Sequence, residues 1–488
     1  MSRSRDHFRR VRPLLRMERP LLETLAAHPG RLSPLDTARL RYALALGRTG
    51  DIRSDGGEDI DLFDAVAPFR HWLIEELDRC VDPTRRQPVD WDALRRLLPP
   101  LTTRTGDVRD RILAREVNRL SEDRLEDELT RPRLVLILGG GGGAGYAHLG
   151  LFSTIAELGL SPSLLVGSSM GALMGLFRSL RTDYDPMLLA LALPKPTEFA
   201  RVFGPYPGYS VFGFPGTFEF RLRALAAETF QTVLGEPQPS FSELPIPLRI
   251  LGTGLRSGIG LALNEVENDI GRTRARFTPL ALRRRFLLFQ RLVQRMVENP
   301  RFLARVVFGG PELADFDLID AVGYSCSVPG LIHFDTYDAA SASASTLRDL
   351  FATRGFFRIT DGGVVSNVSA RTGWDAVQEG AVGSRNAFVL ALDAFSPEVV
   401  PTNLPWIPVQ RLAKRSVAID APFADLMLPW RQPPSPLRVL QGWDSLQRVI
   451  ARSREQLHAH RAHIAFRMRP LPRWVELCPI AETADALP

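Results

Sequence analysis

The chain has 488 residues, 45% of them apolar and 24% charged, the balance of an ordinary globular protein with room for more than one domain. The formal net charge is +6, but almost every basic residue is arginine, with lysine only at Lys195 and Lys414, so the charge assigns no partner by itself and nucleic acid is not expected. Cys80, Cys326 and Cys478 lie far apart, which excludes a disulfide framework and a metal-ligand spacing and fits a reducing, cytoplasmic setting. The first ten residues show no apolar run behind their charges, and no window approaches ~18 uninterrupted apolar residues. Neither a secretory signal nor a spanning helix is therefore expected.

Residues 1–131 read as a helical N-terminal region. Leu14, Leu15, Leu21, Leu22 and Leu25 recur at helical spacing. Ser33-Pro34 opens a further helix with a capping serine and proline in the first position. Phe63–Leu77, Trp91–Leu98 and Val108–Leu129 continue the pattern, with loops at 50–58 and 81–88. The plain reading is a packing extension; the sharper one is a partner-binding module.

The pattern changes at residue 132. Leu134–Leu138 is a wholly apolar run that ends in the glycines Gly139 to Gly143, then Ala144 and Gly145, and a helix follows to Leu158. A second run, Leu164-Leu165-Val166, enters Gly167-Ser168-Ser169-Met170-Gly171 and another helix. Two glycine-rich turns thus close two strands of an open α/β sheet, the usual place for a site. Consecutive glycines let several backbone N–H groups face one concavity, a nest for a phosphate or an oxyanion. The second turn fits G-x-S-x-G: Gly167 and Gly171 leave room for a tight bend, and Ser169 projects from its apex. Ser168 is the alternative in register, with the flanking glycines then misplaced. Downstream, Phe357–Thr360 reads as a short strand ending in Asp361-Gly362-Gly363, which could hold an aspartate facing the serine.

These three pieces together resemble the patatin-like phospholipase family, whose members use a Ser–Asp dyad without a catalytic histidine. The resemblance covers roughly residues 132–395. It implies a three-layer α/β/α patatin-like sandwich with a helical N-terminal extension, Ser169 as nucleophile, Asp361 as dyad acid and Gly140, Gly141, Gly142, Gly143, Ala144 and Gly145 as the oxyanion loop. Two further segments are similar to the family: Arg249–Leu255 with Gly258, and Tyr324–Gly330, a small-residue helix ending in proline. Ala144 stands where the family usually has a basic residue, and Asn367 is followed by Val368-Ser369 where a proline is usual.

The remainder carries weaker signals. Residues 183–215 are rich in proline, glycine and aromatics, and Phe203, Tyr206, Tyr209, Phe212 and Phe214 could line an acyl-chain mouth or plug the core. Residues 271–308 interleave arginines with Leu282, Phe286, Phe289, Leu292, Val293, Met296 and Val297, the pattern of an amphipathic helix. Such a helix either packs its apolar face into the core or lies peripherally on an anionic membrane. Ser341–Ser345 reads as a small-residue loop. Asp393 ends an apolar strand and competes with Asp361, but lacks the Gly-Gly that follows the latter. Residues 396–488 form a C-terminal extension, proline-rich and then helical, in which His458, His460 and His463 do not share one helical face.

The expected function is a serine lipid acyl hydrolase acting on fatty acyl esters of phospholipids or glycerides. A serine needs a base, and Asp361 would take its proton. N–H groups of Gly141, Gly142 and Gly143 would hold the oxyanion, and no metal or cofactor is called for. Two other readings remain open. A Ser-His-Asp esterase would need His148, His333 or a late histidine. Gly140-x-Gly142-x-x-Gly145 matches a dinucleotide fingerprint, but Gly167-Ser168 occupies the place of the expected acidic residue. A non-catalytic member of the fold would normally have lost the serine or the aspartate. Headgroup, acyl position and oligomeric state are not legible.

Overall fold

A computed structural model describes residues 2–186, 196–231, 235, 237–256, 287, 294, 296, 298–395, 407–436 and 438–478. The chain divides into two compact units: residues 1–134, 375–388 and 459–488 make the first, and 135–374 with 389–458 the second.

The first unit is a helical assembly built on α1 (Ser2–Ala27), α2 (Pro34–Arg48), α3 (Phe63–Cys80), α4 (Trp91–Arg115) and α5 (Glu122–Thr130). Leu14, Leu15, Leu21, Leu22 and Leu25 are all buried, as their spacing requires. Ser33 caps α2 by accepting from the Asp36 N–H at 3.0 Å, ahead of Pro34. Three sequence expectations change here. The stretch 50–58 is no plain loop but contributes to a two-stranded ribbon of β1 (Asp51–Arg53) and β2 (Asp59–Asp61). The helix begun at Trp91 runs on through Pro99 and Pro100, because Leu94, Leu97, Leu98, Leu101, Thr105, Val108 and Ile112 keep one face buried along its length. It then stops, and Ser121 caps a separate α5.

The second unit is organised on a seven-stranded sheet. Its first members are β3 (Arg133–Leu138) and β4 (Leu164–Ser168), which pair in parallel. Both are buried on two faces, which is why they read as unbroken apolar runs. Side chains alternate between the faces of a strand, and the alternation shows three layers. Gly175, on α7 (Met170–Ser179), packs on Leu138, while Gly373, on the helix Ala370–Gln378, packs on Val135 and Ile137. The two helices thus cover opposite faces of β3, and the unit is the expected α/β/α sandwich. A small separate sheet joins β5 (Phe203–Pro205), β6 (Phe218–Phe220) and β9 (Ile332–His333).

The strand that positions the site is β7 (Leu248–Arg256), second from one edge of the main sheet. On one edge it carries β8 (Leu303–Phe308), antiparallel, from Ile250 to Leu255. The other edge is shared. Leu248–Leu251 pair with β4, running parallel, and Gly252–Arg256 pair with β10 (Phe356–Asp361), running antiparallel. Since β8 occupies the opposite edge throughout the overlap, β4 and β10 must meet head to head along a single edge of β7. The strands β11 (Ala387–Asp393) and β12 (Leu426–Pro429) complete the sheet in parallel.

Three more readings are corrected in this unit. Residues 303–308 are strand β8, so the amphipathic pattern in 271–308 ends before Pro300, whose ring starts a short 3-10 turn. Most of the remainder of that stretch lies outside the described residues; Leu287, Gln294, Met296 and Glu298 are helical. Ser341–Ser345 is no loop: Ser341 caps the helix Ala342–Arg354 through the Ala344 N–H, and Gly355 closes it at φ 65°. The helix predicted over 444–466 is two helices, Trp443–His458 and Arg461–Met468, with a turn between them. Among the described residues no helix is long and apolar enough to cross a membrane.

One of the tightest backbone approaches is at Gly171, where a Cβ would lie 2.0 Å from the Leu138 carbonyl oxygen. Gly171→Ala is therefore expected to cost at least about 3 kcal/mol, because backbone on both sides must move. Denaturant unfolding of the purified variant measures this, and a loss under about 1 kcal/mol contradicts the packing described.

Candidate active site

The end-to-end meeting of β4 and β10 determines the site. Ser168 is paired with Leu251, and Asp361 with the next residue, Gly252. Ser169 follows immediately and takes φ 54°, ψ −125°, a left-handed conformation costly for a residue with a side chain. Such strain is worth about 1–3 kcal/mol and persists only where the surroundings enforce it. They do so here through glycine on both sides: a Cβ on Gly167 would lie 2.5 Å from Ala172 Cα, and Gly171 is pinned as above. Ser168 has ordinary strand pairing, so the bend places Ser169, not Ser168, at its apex.

A polar bolt holds the two strand ends together. The hydroxyl of Ser325 accepts from the Ser169 N–H at 2.9 Å and donates to the Leu251 carbonyl at 2.6 Å. The Cys326 thiol donates to the Ser169 carbonyl at 3.2 Å. One residue further on, the Ser327 carbonyl accepts from the Asp361 N–H at 2.9 Å and from the Thr360 hydroxyl at 2.8 Å. The Thr253 hydroxyl donates to the Asp361 carbonyl at 2.7 Å. The sequence marks the run 324–330 only by its resemblance and gives it no role; that Ser325, Ser327 and Thr253 hold these two strand ends is disclosed by the fold alone.

Asp361 is 5% exposed and Ser169 9%. Burial is the main influence on the Asp361 carboxyl and pushes it up from the usual carboxylate range to about 7; the Ser169 hydroxyl and the Gly363 N–H pull the other way. The Gly363 N–H donates to Oδ1 at 2.7 Å. Oδ2 is buried and, among the described residues, has no hydrogen-bond partner of good geometry. The Ser169 hydroxyl is near enough to hold the carboxyl's pKa down, but among the described residues it makes no hydrogen bond of good geometry to it. Gly362 is needed because a Cβ there would lie 2.1 Å from the Leu251 carbonyl oxygen.

The glycine loop lies alongside. A Cβ on Gly140 would be 2.9 Å from both Ser169 Cβ and Asn367 Oδ1, so only glycine fits against the nucleophile. Gly141 (φ 156°) and Gly142 (φ 53°) take conformations that favour glycine, and a 3-10 turn runs from Gly142 to Tyr146. The loop's N–H groups are not all available. Gly140 donates to the Asn367 carbonyl at 3.2 Å and Gly143 to the Pro436 carbonyl at 3.0 Å. The expected cradle of Gly141, Gly142 and Gly143 thus narrows to Gly141 and Gly142, whose N–H groups have no such bond to another loop among the described residues. Pro436 belongs to a stretch that further grips the turn: Gln441 donates to the Gly143 carbonyl at 3.0 Å, and the Tyr146 hydroxyl to the Val439 carbonyl at 2.6 Å. No sequence signal marked that stretch. Ala144 is fully buried, which explains why a basic side chain is not accommodated there. Gly145 packs on the Met170 side chain.

The histidines take other posts. His148 Nε2 lies 2.8 Å from the Gly139 carbonyl; that oxygen can only accept, so Nε2 carries the proton. The ring braces the strand end against α6 (Ala147–Glu157), and burial lowers its pKa to about 4, keeping it neutral. His333 spans the Phe214 carbonyl at 2.9 Å and the Tyr337 hydroxyl at 2.8 Å. Neither makes a hydrogen bond to Ser169 among the described residues. His458 is exposed, and His460 and His463 fall in the other unit. Asp393, the competing acid, is raised to about 6 by burial and accepts from the Phe395 N–H at 3.1 Å. It accepts from Asn367 Nδ2 at 3.5 Å, and among the described residues it makes no hydrogen bond to Ser169. Of the aromatic group, Phe203, Phe212 and Phe214 are buried and Tyr209 is exposed, so most of it plugs the core.

The α/β/α unit thus sets a strained serine, at a strand-to-helix bend, beside a buried carboxyl and a glycine loop. The family model for patatin-like phospholipase matches residues 136–374, and this domain of the chain belongs to that family. A segment of 73 residues is 42% identical to the neuropathy target esterase sws of Drosophila melanogaster, and equally to those of Drosophila erecta and Drosophila persimilis. That segment is 15% of this chain and only 5% of each relative's length.

The buried carboxyl has a consequence for stability. Its pKa is near ~3.9 when unfolded and about 7 when folded. The folded state therefore holds the proton more tightly. Its contribution is fully present below pH ~3.9 and is lost as pH rises through about 7. Asp361→Asn, which carries no ionisable group, is expected to gain roughly 2–3 kcal/mol of stability relative to wild type between pH 5 and pH 8. Urea unfolding at the two pH values tests this, and an equal effect at both contradicts it.

Proposed function

We propose that the chain is a lipid acyl hydrolase that cleaves fatty acyl esters of phospholipids or glycerides through a Ser169–Asp361 dyad. The observation that carries this reading is the strained serine beside a carboxyl whose pKa is raised to about 7. An ordinary aspartate is too weak a base to draw a proton from a hydroxyl at neutral pH, whereas one near 7 is matched to the task. The esterase name of the Drosophila relatives favours ester cleavage within the general class of lipid hydrolysis.

In the proposed reaction Asp361 takes the hydroxyl proton as Ser169 Oγ attacks the acyl carbonyl. The negative charge that develops on the carbonyl oxygen is met by the N–H groups of Gly141 and Gly142. Collapse of the intermediate breaks the ester C–O bond, and the proton held by Asp361 passes to the departing alcohol. Water, deprotonated by the same carboxylate, then attacks the acyl-serine; as the acyl C–O bond breaks, that proton passes from Asp361 to Ser169 Oγ, and the fatty acid is released. The scheme calls on no metal or cofactor. For access to lipid, the arginine-rich amphipathic stretch that begins at residue 271 is proposed as a peripheral membrane contact.

Turnover of one short and one long acyl ester tests the dyad. Ser169→Ala and Asp361→Asn are each expected to lower kcat by at least about 10³-fold. In wild type, kcat/KM is expected to fall about tenfold per pH unit below an apparent pKa of about 7. An alkyl organophosphonate is expected to label Ser169. Wild-type rates in both variants, or a flat profile from pH 5.5 to 8, would remove the dyad. Co-sedimentation with vesicles of graded anionic content tests the membrane contact, which independence from anionic lipid would contradict.

A further inference from the structure

The first unit contains a charged cavity that the proposed reaction does not use. Its volume is about 40 Å³. On the same measure a water takes about 10–15 Å³, so the space suits a few waters or one tetrahedral oxyanion. Arg41, Ala45 and Arg48 reach it from α2 at positions i, i+4 and i+7, one face of that helix. Glu18 comes from α1 and Arg467 from the helix Arg461–Met468.

The lining holds three guanidinium groups and one carboxylate. Glu18 serves two of the three: Arg48 Nη1 lies 3.1 Å from its Oε1 and Arg467 Nη2 3.6 Å. Arg41 is placed differently. Its Nη2 donates to the Arg467 carbonyl at 3.0 Å and the Arg469 carbonyl at 2.9 Å, and among the described residues it has no carboxylate partner. Burial first, and then repulsion from Arg467 and Arg469, lower the Arg41 pKa to about 9 against the opposing pull of Glu18. The field at this wall is therefore net positive.

Gathering like charges away from water is costly unless an anion joins them. Guanidinium forks match tetrahedral oxyanions in geometry. Three guanidinium groups around one carboxylate, with Arg41 lacking a carboxylate partner among the described residues, suit a phosphate dianion, the main form of a phosphomonoester above pH ~6. We infer that this cavity is a binding site for a phosphate-type dianion, taken either as the free ion or as the terminal phosphate of a phosphomonoester.

Isothermal titration of the full chain, at constant ionic strength in chloride, tests the site with two probes: inorganic phosphate and glycerol 3-phosphate. One saturable site per chain is expected, with a Kd at or below about 1 mM and a melting temperature that rises with ligand concentration. Tighter binding of inorganic phosphate would make the free ion the ligand; tighter binding of glycerol 3-phosphate would make it a monoester. Arg41→Gln is expected to weaken binding about tenfold or more, since it removes one charge-assisted contact. Ala45→Glu puts a carboxylate on the same helix face and is expected to abolish binding. The inference is overturned if neither probe binds wild type saturably, or if either folded variant binds as wild type does.

Discussion

One edge of one strand carries the architecture of the site. The strand Leu248–Arg256 offers its first half to β4 and its second half to β10, while β8 takes the opposite edge. Two strands that approach from opposite directions must stop where they meet. Their last residues, Ser168 and Asp361, then register on consecutive positions. Everything chemical follows from that collision: the chain after β4 has to turn sharply at Ser169, and the chain after β10 has to turn at Gly362. The second turn is equally tight, because the Leu251 carbonyl leaves no space for a side chain.

Such a junction has little tolerance, and the structure meets that with polar cross-links in place of bulk. Ser325 satisfies both the Ser169 N–H and the Leu251 carbonyl, and Thr253 and Ser327 do the same for the Asp361 peptide groups. Each of these groups is buried, so an unmade bond would cost about 1–3 kcal/mol. That cost keeps the serine in its left-handed conformation and the carboxyl in place. The same dry surroundings that make the cross-links strong raise the Asp361 pKa. Rigidity and basicity at this site thus have one physical origin.

The glycine loop is restrained from two directions. His148 ties its entry to the helix behind it, and the stretch around Pro436 ties its far end. With Gly140 and Gly143 committed to fixed carbonyls, the intervening peptides have little freedom. Donors held in advance of the reaction are the arrangement that electrostatic stabilisation of an oxyanion requires.

Local chemistry was enough to read much of this from the sequence. Unbroken apolar runs at 134–138 and 164–166 announced strands buried on both faces, and glycines at 139–143, 167 and 171 announced turns no other residue can make. Those signals depend on neighbours in the chain, as does Ser33 capping α2. What the sequence could not express was pairing at long range. That β10 comes home on the same edge as β4, that Ser325 lies beneath residue 169, that Pro436 claims the Gly143 N–H and that Asn367 abuts Gly140 are facts about segments up to some hundreds of positions apart. The same holds for the misjudged elements: α4 continues through Pro99-Pro100 because a buried face outweighs local propensity, and 303–308 is strand because β7 had an open edge. Residue identity selected the reactive groups; only the packed sheet set the distances, the dryness and hence the acidity that make them a site.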